Sequence, residues 1–79
     1  MNIECKYFGM IAEITGTASE SLILNDASNI AQLDEQLKSK YPKLHFVSYQ
    51  IAQNQQIADT HIELNEKDEI ALLPPFGGG

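Results

Sequence analysis

One amphipathic helix, predicted over Ile30–Lys40, most constrains what this 79-residue chain can fold into. Its apolar stripe consists of Ile30, Leu33 and Leu37. Asn29 is placed as an N-cap, and Gln32 can reach back to it to complete a capping box. Pro42 ends the helix. Because only this helix is long enough to cover a sheet, the rest of the chain must supply a sheet with one face packed against it.

Segments of alternating apolar and polar residues flank this helix on both sides and are predicted to be strands. They are Asn2–Phe8, Glu20–Leu24, Tyr49–Gln53, a short strand around Ile57, and Glu69–Leu73. Strands, one main helix and further strands favour an α+β fold, a ubiquitin-like β-grasp with a mixed sheet of about five strands packed on one main helix. In that arrangement the first and last strands are parallel neighbours at the centre of the sheet.

Shorter segments connect these elements. Gly9–Gly16 is predicted to form a short helical segment that ends at Gly16, and Asn25-Asp26 breaks the second strand. Leu44–Val47 fits either a turn of helix or a loop. In the loop, Leu44 and one of the two residues Phe46 and Val47 would pack into the core. Asn54-Gln55 is predicted to form a tight turn, since asparagine tolerates the left-handed backbone conformation.

The chain ends in an unusual stretch, Leu72–Gly79. Pro74 and Pro75 stop the last strand, because neither has an N–H for the ladder. Only glycines follow Phe76, so this end is thin enough to enter a narrow channel and finishes in a free carboxylate. We expect a domain over 1–75 and a flexible C-terminal glycine tail over 76–79. On these residues alone, a frayed terminus fits as well as a functional tail.

Two apolar residues, Phe8 and Leu73, fall on strand faces where the alternation predicts polar side chains. In the parallel central pair both lie at the same end of the sheet, on the face away from the helix. Together with Ile57 they are predicted to form an apolar patch beside the base of the tail. Such a patch usually marks a partner site, although scattered surface apolar residues are also common.

Composition excludes several classes of function. A net charge of −6 and a pI near 4.6 argue against nucleic-acid or anionic-membrane binding. A single cysteine, Cys5, rules out an intrachain disulfide and fits a reducing compartment. No apolar run is long enough to span a bilayer, and the N-terminus lacks a signal-peptide pattern. We therefore expect a cytoplasmic protein.

No catalytic or metal-binding group of residues stands out in the sequence. Cys5 is in phase with Ile3 and Tyr7, which favours a buried structural thiol over a nucleophile. His45 and His61 are far apart, whereas a metal site needs a cluster. The sequence therefore predicts neither a metal site nor an enzyme acting by itself.

Four segments together resemble the MoaD-type sulfur carriers, the small subunits of molybdopterin synthase. Phe8–Gly16 resembles that family's Phe-Ala-x-x-x-Glu-x-x-Gly segment, and Ala52–Asn54 its Val-Asn turn. Asn65–Ile70 resembles its Asp-Gly-Asp-Glu-Val turn and strand. Leu73–Gly79 resembles its Phe-Pro-Pro-Val-x-Gly-Gly ending, in register with the terminus.

The resemblance implies a protein that carries sulfur without being a catalyst. Gly79 would be adenylated by an activating enzyme of the ubiquitin-activating type that uses ATP, and then converted to a thiocarboxylate. The large catalytic subunit of molybdopterin synthase would receive the tail. No bound cofactor is implied. The residues implied at these contacts are Gly79 as the carrier, Gly78 and Gly77 in the tail, and Phe8, Ile57, Leu73, Pro74, Pro75 and Phe76 at the partner interface.

Two alternatives share the fold and the tail. One is a sulfur carrier for thiamine, tRNA or cysteine pathways, and the other is a ubiquitin-like protein modifier.

Three departures from the family pattern bear on partner docking. Ala12 stands where the family often has an arginine, Lys67 replaces a turn glycine in a position that favours φ > 0, and Phe76 replaces a small aliphatic residue.

Overall fold

The computed structural model describes residues 1–24 and 29–75. The elements are β1 (Asn2–Tyr7), α1 (Met10–Thr15), β2 (Ser19–Ile23), α2 (Ile30–Lys40), a 3₁₀ turn (Pro42–Phe46), β3 (Gln50–Gln53), β4 (Gln56–Ile57) and β5 (Glu69–Leu73). The predicted break at Asn25-Asp26 and the predicted tail over 76–79 lie outside the described residues. The α+β plan of strands around one main helix is confirmed.

The five strands form one mixed sheet in the order β2-β1-β5-β3-β4. β1 and β5 are parallel neighbours at its centre, with Cys5 opposite Ile70 and Tyr7 opposite Leu72. The other pairs are antiparallel. This is the predicted ubiquitin-like β-grasp arrangement, and it brings the C-terminal ends of β1 and β5 side by side.

The core lies between one face of this sheet and α2. The alternation in the two central strands buries Ile3, Cys5, Tyr7, Ile70 and Leu72. The helix contributes its predicted stripe of Ile30, Leu33 and Leu37, all fully buried. The opposite residues of the central strands therefore face away from the core, as the period of two requires.

The boundaries of α2 are those predicted, because its N-terminus is capped as predicted. The Gln32 backbone N–H donates to Asn29 Oδ1 at 2.9 Å, and the Asn29 N–H donates to Gln32 Oε1 at 3.0 Å. At the other end, the Tyr41 N–H donates to the Leu37 carbonyl at 2.7 Å before Pro42 begins the 3₁₀ turn. The segment predicted as either helix or loop is thus this short turn.

The prediction that Leu44 and either Phe46 or Val47 reach the core is confirmed for Leu44 and Val47. Leu44 is fully buried and Val47 packs against the core, whereas Phe46 is 86% exposed. In a turn this short Leu44 takes the inward position, and Phe46 then projects outward.

Two tight turns use the left-handed backbone region. Asn54 and Gln55 have φ of 50° and 71°, and Lys67 has φ of 66°. Asp68 lies between these turns and is the one buried charged residue among those described. Its carboxylate accepts from Gln53 Nε2 and the Asn65 N–H, each at 2.7 Å, and from Asn54 Nδ2 at 3.0 Å. This network joins the two turns at the start of β5.

Strand ends differ from the prediction by a residue. β1 ends at Tyr7, because Gly9 with φ of 57° turns the chain away into α1. β2 spans Ser19–Ile23 and β3 begins at Gln50. Within residues 1–24 and 29–75, no helix combines the length and the apolar character needed to cross a membrane.

Candidate functional site

The C-terminal end of β5 leads out of the sheet at a fixed position. Leu73 is still paired with Gln50 of β3, and the Phe8 N–H donates to the Leu72 carbonyl at 3.3 Å. Beyond the strand, Pro74 packs against Gly9 so closely that a Cβ on that glycine would lie 3.0 Å from Pro74 Cγ. The chain is thus held by β1, β3 and Gly9, just before α1, as far as Pro74.

The structure brings Phe8, Ile57 and Leu73 together on the sheet face away from the helix. They line a shallow depression of about 340 Å³, here called the Phe8–Leu73 patch. Its full lining is Lys6, Phe8, Ala52, Gln55, Ile57, Glu69, Ala71 and Leu73. Phe8 is 45% and Ile57 60% exposed. The patch is apolar at its centre and lies directly beside the point where the chain leaves the sheet.

One ion pair crosses the two central strands within this patch. Lys6 Nζ lies 2.9 Å from a Glu69 carboxylate oxygen, and both side chains are partly exposed. An exposed pair of this kind contributes little to stability. Its more important effect is local, because it places compensating charges at the rim and leaves the centre of the patch apolar.

A second apolar depression lies on the other side of the departing chain. It has a volume of about 290 Å³ and is here called the Met10–Phe46 groove. Its lining is Met10, Ile11, Phe46, Val47, Ser48, Pro74 and Pro75. Met10 is 58% exposed. The sequence did not predict this groove, because it joins residues of α1, the 3₁₀ turn and the chain after β5.

The remaining sequence-predicted residues fall into two groups. Pro74 and Pro75 line the Met10–Phe46 groove, and Pro75 is exposed. Phe76, Gly77, Gly78 and Gly79 lie outside the described residues. The structure thus brings together five of the nine predicted site residues around the chain's exit from the sheet. Their role as a partner interface stays a prediction.

The predicted structural thiol is buried. Burial raises the pKa of Cys5 to about 12, against a smaller opposing effect of its hydrogen bond with Tyr7. The thiol is therefore protonated at neutral pH and is no nucleophile, since reactivity requires the thiolate. His45 and His61 are exposed. Among the residues that the structure describes, no group of three or more His, Cys, Asp or Glu side chains is arranged to hold a metal ion.

A polar cluster on the helix side of the sheet centres on Glu20 of β2. Its carboxylate accepts hydrogen bonds from Tyr7 Oη at 2.5 Å, Tyr41 Oη at 2.7 Å and Lys40 Nζ at 2.8 Å. Burial by itself raises the pKa of Glu20, but these donors outweigh it, and the pKa lies below its ordinary value. Every group in the cluster is paired, so we interpret it as a structural hydrogen-bond network, here called the Glu20 network, that joins β1, β2 and the end of α2.

A further depression, of about 400 Å³, lies between α2 and the β3–β4 side of the sheet. Three of the polar side chains that line it are paired with one another. Lys38 Nζ lies 3.3 Å from an Asp34 carboxylate oxygen, and the Tyr49 hydroxyl donates to the same carboxylate. Burial, and then this bond, raise the pKa of Tyr49. The carboxylate is thus already occupied by two partners.

Taken together, the described residues offer a surface and an exit point for the chain. They supply no paired acid and base, activated nucleophile or metal ligand set near Pro75. The arrangement places an apolar depression on each side of the point where the chain leaves the sheet, and such depressions suit contact with another molecule.

The ThiS family matches this chain over residues 5–79. The molybdopterin synthase sulfur carrier subunit of Mycobacterium tuberculosis is 33% identical, and the alignment covers 100% of this chain and 99% of the relative. The human molybdopterin synthase sulfur carrier subunit is also 33% identical, with 98% of this chain and 93% of the relative covered.

Solved structures share the fold. The SAMP1 protein of Haloferax volcanii superposes with a TM-score of 0.83 at 21% identity, covering 100% of both chains. A chain from the complex of subunits 1 and 2 of the molybdopterin-converting factor of Helicobacter pylori superposes with a TM-score of 0.72 at 27% identity, again over 100% of both chains.

Proposed function

This chain belongs to the ThiS family, and from that membership we propose that it is the sulfur-carrier subunit of a molybdopterin synthase. The observation that carries the proposal is the match of the whole chain to two curated molybdopterin synthase sulfur carrier subunits. The geometry supports it, because the described residues place an apolar depression on each side of the point where the chain leaves the sheet.

The working group in this proposal is the Gly79 carboxylate. A carboxylate is a poor electrophile, so an activating enzyme first transfers AMP from ATP to it and releases pyrophosphate. Sulfide delivered by a sulfur donor then attacks the acyl carbon, and AMP leaves. The product is a terminal thiocarboxylate, a soft nucleophile that is ionised near neutral pH. ATP is the substrate of the partner, and the carrier needs no cofactor of its own.

The second partner is the large subunit of the synthase. It receives the tail in its active site, where the thiocarboxylate sulfur bonds to a carbon of a cyclic pyranopterin phosphate and displaces an oxygen substituent. Water then cleaves the acyl–sulfur bond and restores the Gly79 carboxylate. Two such transfers build the dithiolene of molybdopterin. Since the tail must enter two different active sites in turn, side chains on Gly77–Gly79 would obstruct it.

The Phe8–Leu73 patch is the proposed docking surface for these partners. It lies beside the exit point, and Phe8 and Ile57 together expose enough apolar surface to gain from being covered. The complex of subunits 1 and 2 in the Helicobacter pylori relative supports a large-subunit partner, because that relative matches this chain over its full length.

The pathway is tested by supplying the chain with a chemically installed terminal thiocarboxylate. It is incubated with the large subunit and the pyranopterin precursor, and the dithiolene product is measured. The expected result is product from the thiocarboxylated chain and none from the same chain with Gly79 deleted. Sulfur delivered only to a thiamine, tRNA or cysteine enzyme would reassign the pathway, and lysine adducts of the chain would instead indicate a protein modifier.

A further inference from the structure

The Met10–Phe46 groove exposes apolar surface that the fold does not need. Phe46 is 86% and Met10 58% exposed, although the neighbouring Ile11 is fully buried. The groove adjoins Pro74 and Pro75 and is separate from the residues that line the Phe8–Leu73 patch. Apolar side chains gathered in this way around a depression indicate a site that something covers.

The walls of this groove are fixed by the surrounding structure. The Ile11 N–H donates to the Phe8 carbonyl at 3.1 Å, which holds the first turn of α1. Gly9 contacts Pro74 on the same side. On the opposite wall, Leu44 anchors the 3₁₀ turn that carries Phe46. The groove is therefore preformed, and an occupant does not have to organise it.

The chain itself supplies a suitable occupant at the next residue. Pro75 lines the groove, and consecutive Cα atoms are about 3.8 Å apart, so the residue that follows Pro75 in the sequence is covalently tethered beside the groove. Phe76 is the last residue that carries a side chain, since Gly77, Gly78 and Gly79 follow. An aromatic ring can pack on Phe46 edge to face and against the thioether of Met10.

We propose that the side chain of Phe76 docks in the Met10–Phe46 groove and anchors the root of the glycine tail. Attachment next to the groove gives Phe76 an effective concentration on the order of millimolar or higher. A second copy of the chain or a partner loop would have to compete with that concentration. The Phe76 side chain, though outside the described residues, is therefore the occupant that proximity favours.

The anchor has a consequence for the tail. With Phe76 held, only three residues extend beyond it, which span about 10 Å when fully extended. The direction in which they leave the domain is then set by the groove and not by free rotation after Pro75. Phe76 is thus a positioning residue. The inference holds whether or not the terminal carboxylate carries sulfur, so its failure would leave the proposed function intact.

The test is solution NMR on the full chain with labelled methionine methyl groups. The expected result is a set of nuclear Overhauser cross-peaks between the Phe76 ring protons and the Met10 methyl group. Replacing Phe76 with alanine should abolish these cross-peaks and shift the Met10 methyl resonance. Ile23→Ala, at an apolar site on β2 that is 74% exposed, is the matched control and should leave that resonance in place.

Several results would overturn the inference. One is the absence of cross-peaks together with a Met10 resonance that Phe76→Ala leaves unchanged. Cross-peaks seen only between labelled and unlabelled chains, and lost on dilution, would assign the groove to a second copy. A Met10 resonance that moves only when the large subunit or the activating enzyme is added would assign it to a partner. Unchanged α2 amide resonances would verify that each alanine variant is folded.

Discussion

Leu73 is the residue at which the sheet and the proposed docking surface meet. Its backbone is paired with Gln50, while its half-buried side chain lies in the Phe8–Leu73 patch on the face away from the core. A change of side chain at this position therefore acts mainly on the patch. This makes Leu73 a better probe of docking than any core residue.

Replacing Leu73 with glutamate should weaken binding to the large subunit by at least tenfold, because it places an unpaired carboxylate in a desolvated apolar contact. The domain should still unfold cooperatively. Titration calorimetry measures the affinity, and thermal unfolding verifies the fold. Ile23→Glu, at an exposed apolar site on β2, is the control. Equal affinities for Leu73→Glu and the parent chain would exclude the patch as the docking surface.

Lys67 shows how a single residue can be placed at a conformational disadvantage. Its φ of 66° lies in the left-handed region, as the departure from the family's turn glycine led us to expect. Its N–H nevertheless donates to the Asn2 carbonyl at 2.6 Å and ties the turn to β1. The turn is therefore kept in a conformation that glycine would adopt with less strain.

Lys67→Gly should raise the free energy of unfolding by about 0.5–1 kcal/mol, since the relief of strain exceeds the added entropy of the unfolded chain. Lys43→Gly, in the 3₁₀ turn where no positive φ is required, should lower it by a similar amount. Urea unfolding of both variants measures the difference. A loss of stability in both would mean that Lys67 is not strained.

At the scale of elements, α2 was predictable because all of its signals are local. The apolar stripe, the capping box and Pro42 each depend on residues within a few positions of one another. The final strand Glu69–Leu73 was predictable for the same reason, since Ile70 and Leu72 alternate inward and Pro74 stops the strand. The parallel pairing of β1 and β5 followed from the order of elements and is confirmed.

Features formed by residues distant in sequence were not predictable. The Glu20 network joins Tyr7 in the sheet to Lys40 and Tyr41 at the end of the helix. The Met10–Phe46 groove depends on which side of the exit point the 3₁₀ turn packs. Phe46 was a candidate for the core, and no local pattern distinguishes it from Val47. Of the candidate site, the sequence thus predicted the patch residues and missed the groove.

Removing the cap of α2 tests its importance. Asn29→Ala removes the side-chain oxygen that accepts from the Gln32 N–H, although the backbone N–H of residue 29 can still donate to Gln32 Oε1, and it should lower the free energy of unfolding by about 1 kcal/mol. Gln36→Ala, at an exposed position inside the same helix, is the control and should change stability much less. Chemical denaturation followed by circular dichroism measures both. Equal effects would show that the box contributes nothing beyond helix propensity.

At the scale of the whole molecule, this small domain is held by two carboxylate networks, one around the buried Asp68 and one around the partly buried Glu20. Asp68 joins the turns at one end of the sheet, and Glu20 joins β1, β2 and α2. For Asp68, burial raises the pKa, but the bonds from Asn54, the Asn65 N–H and Gln53 outweigh it, so the pKa lies below its ordinary value. The pKa of Glu20 is lowered as well.

Lowered pKa values in the folded state fix the sign of the pH dependence. Both carboxylates contribute their full stabilisation above their ordinary values, 3.8 for Asp68 and 4.5 for Glu20. That stabilisation should be lost as the pH falls through these values and below. Thermal unfolding between pH 7 and pH 3 should show the melting temperature falling below about pH 4.5.

The variants for this experiment are Asp68→Asn and Glu20→Gln, with the exposed Glu35→Gln as control. Each of the first two should be destabilised at pH 7 and should show a flatter pH profile than the parent. The control should keep the parent's profile. Parent-like profiles in both network variants would contradict the assignment of the acid sensitivity to these two groups.

The central claim concerns the terminal carboxylate of Gly79, and intact mass spectrometry tests it most directly. The chain is incubated with a matching activating enzyme, ATP and a sulfur donor, beside the same chain with Gly79 deleted. Replacement of one oxygen by one sulfur, confined to the full-length chain, is the predicted result. As a positive control, the enzyme must activate its own carrier under the same conditions. If the mass of this chain stays unchanged with that enzyme, the claim that this chain carries sulfur is contradicted.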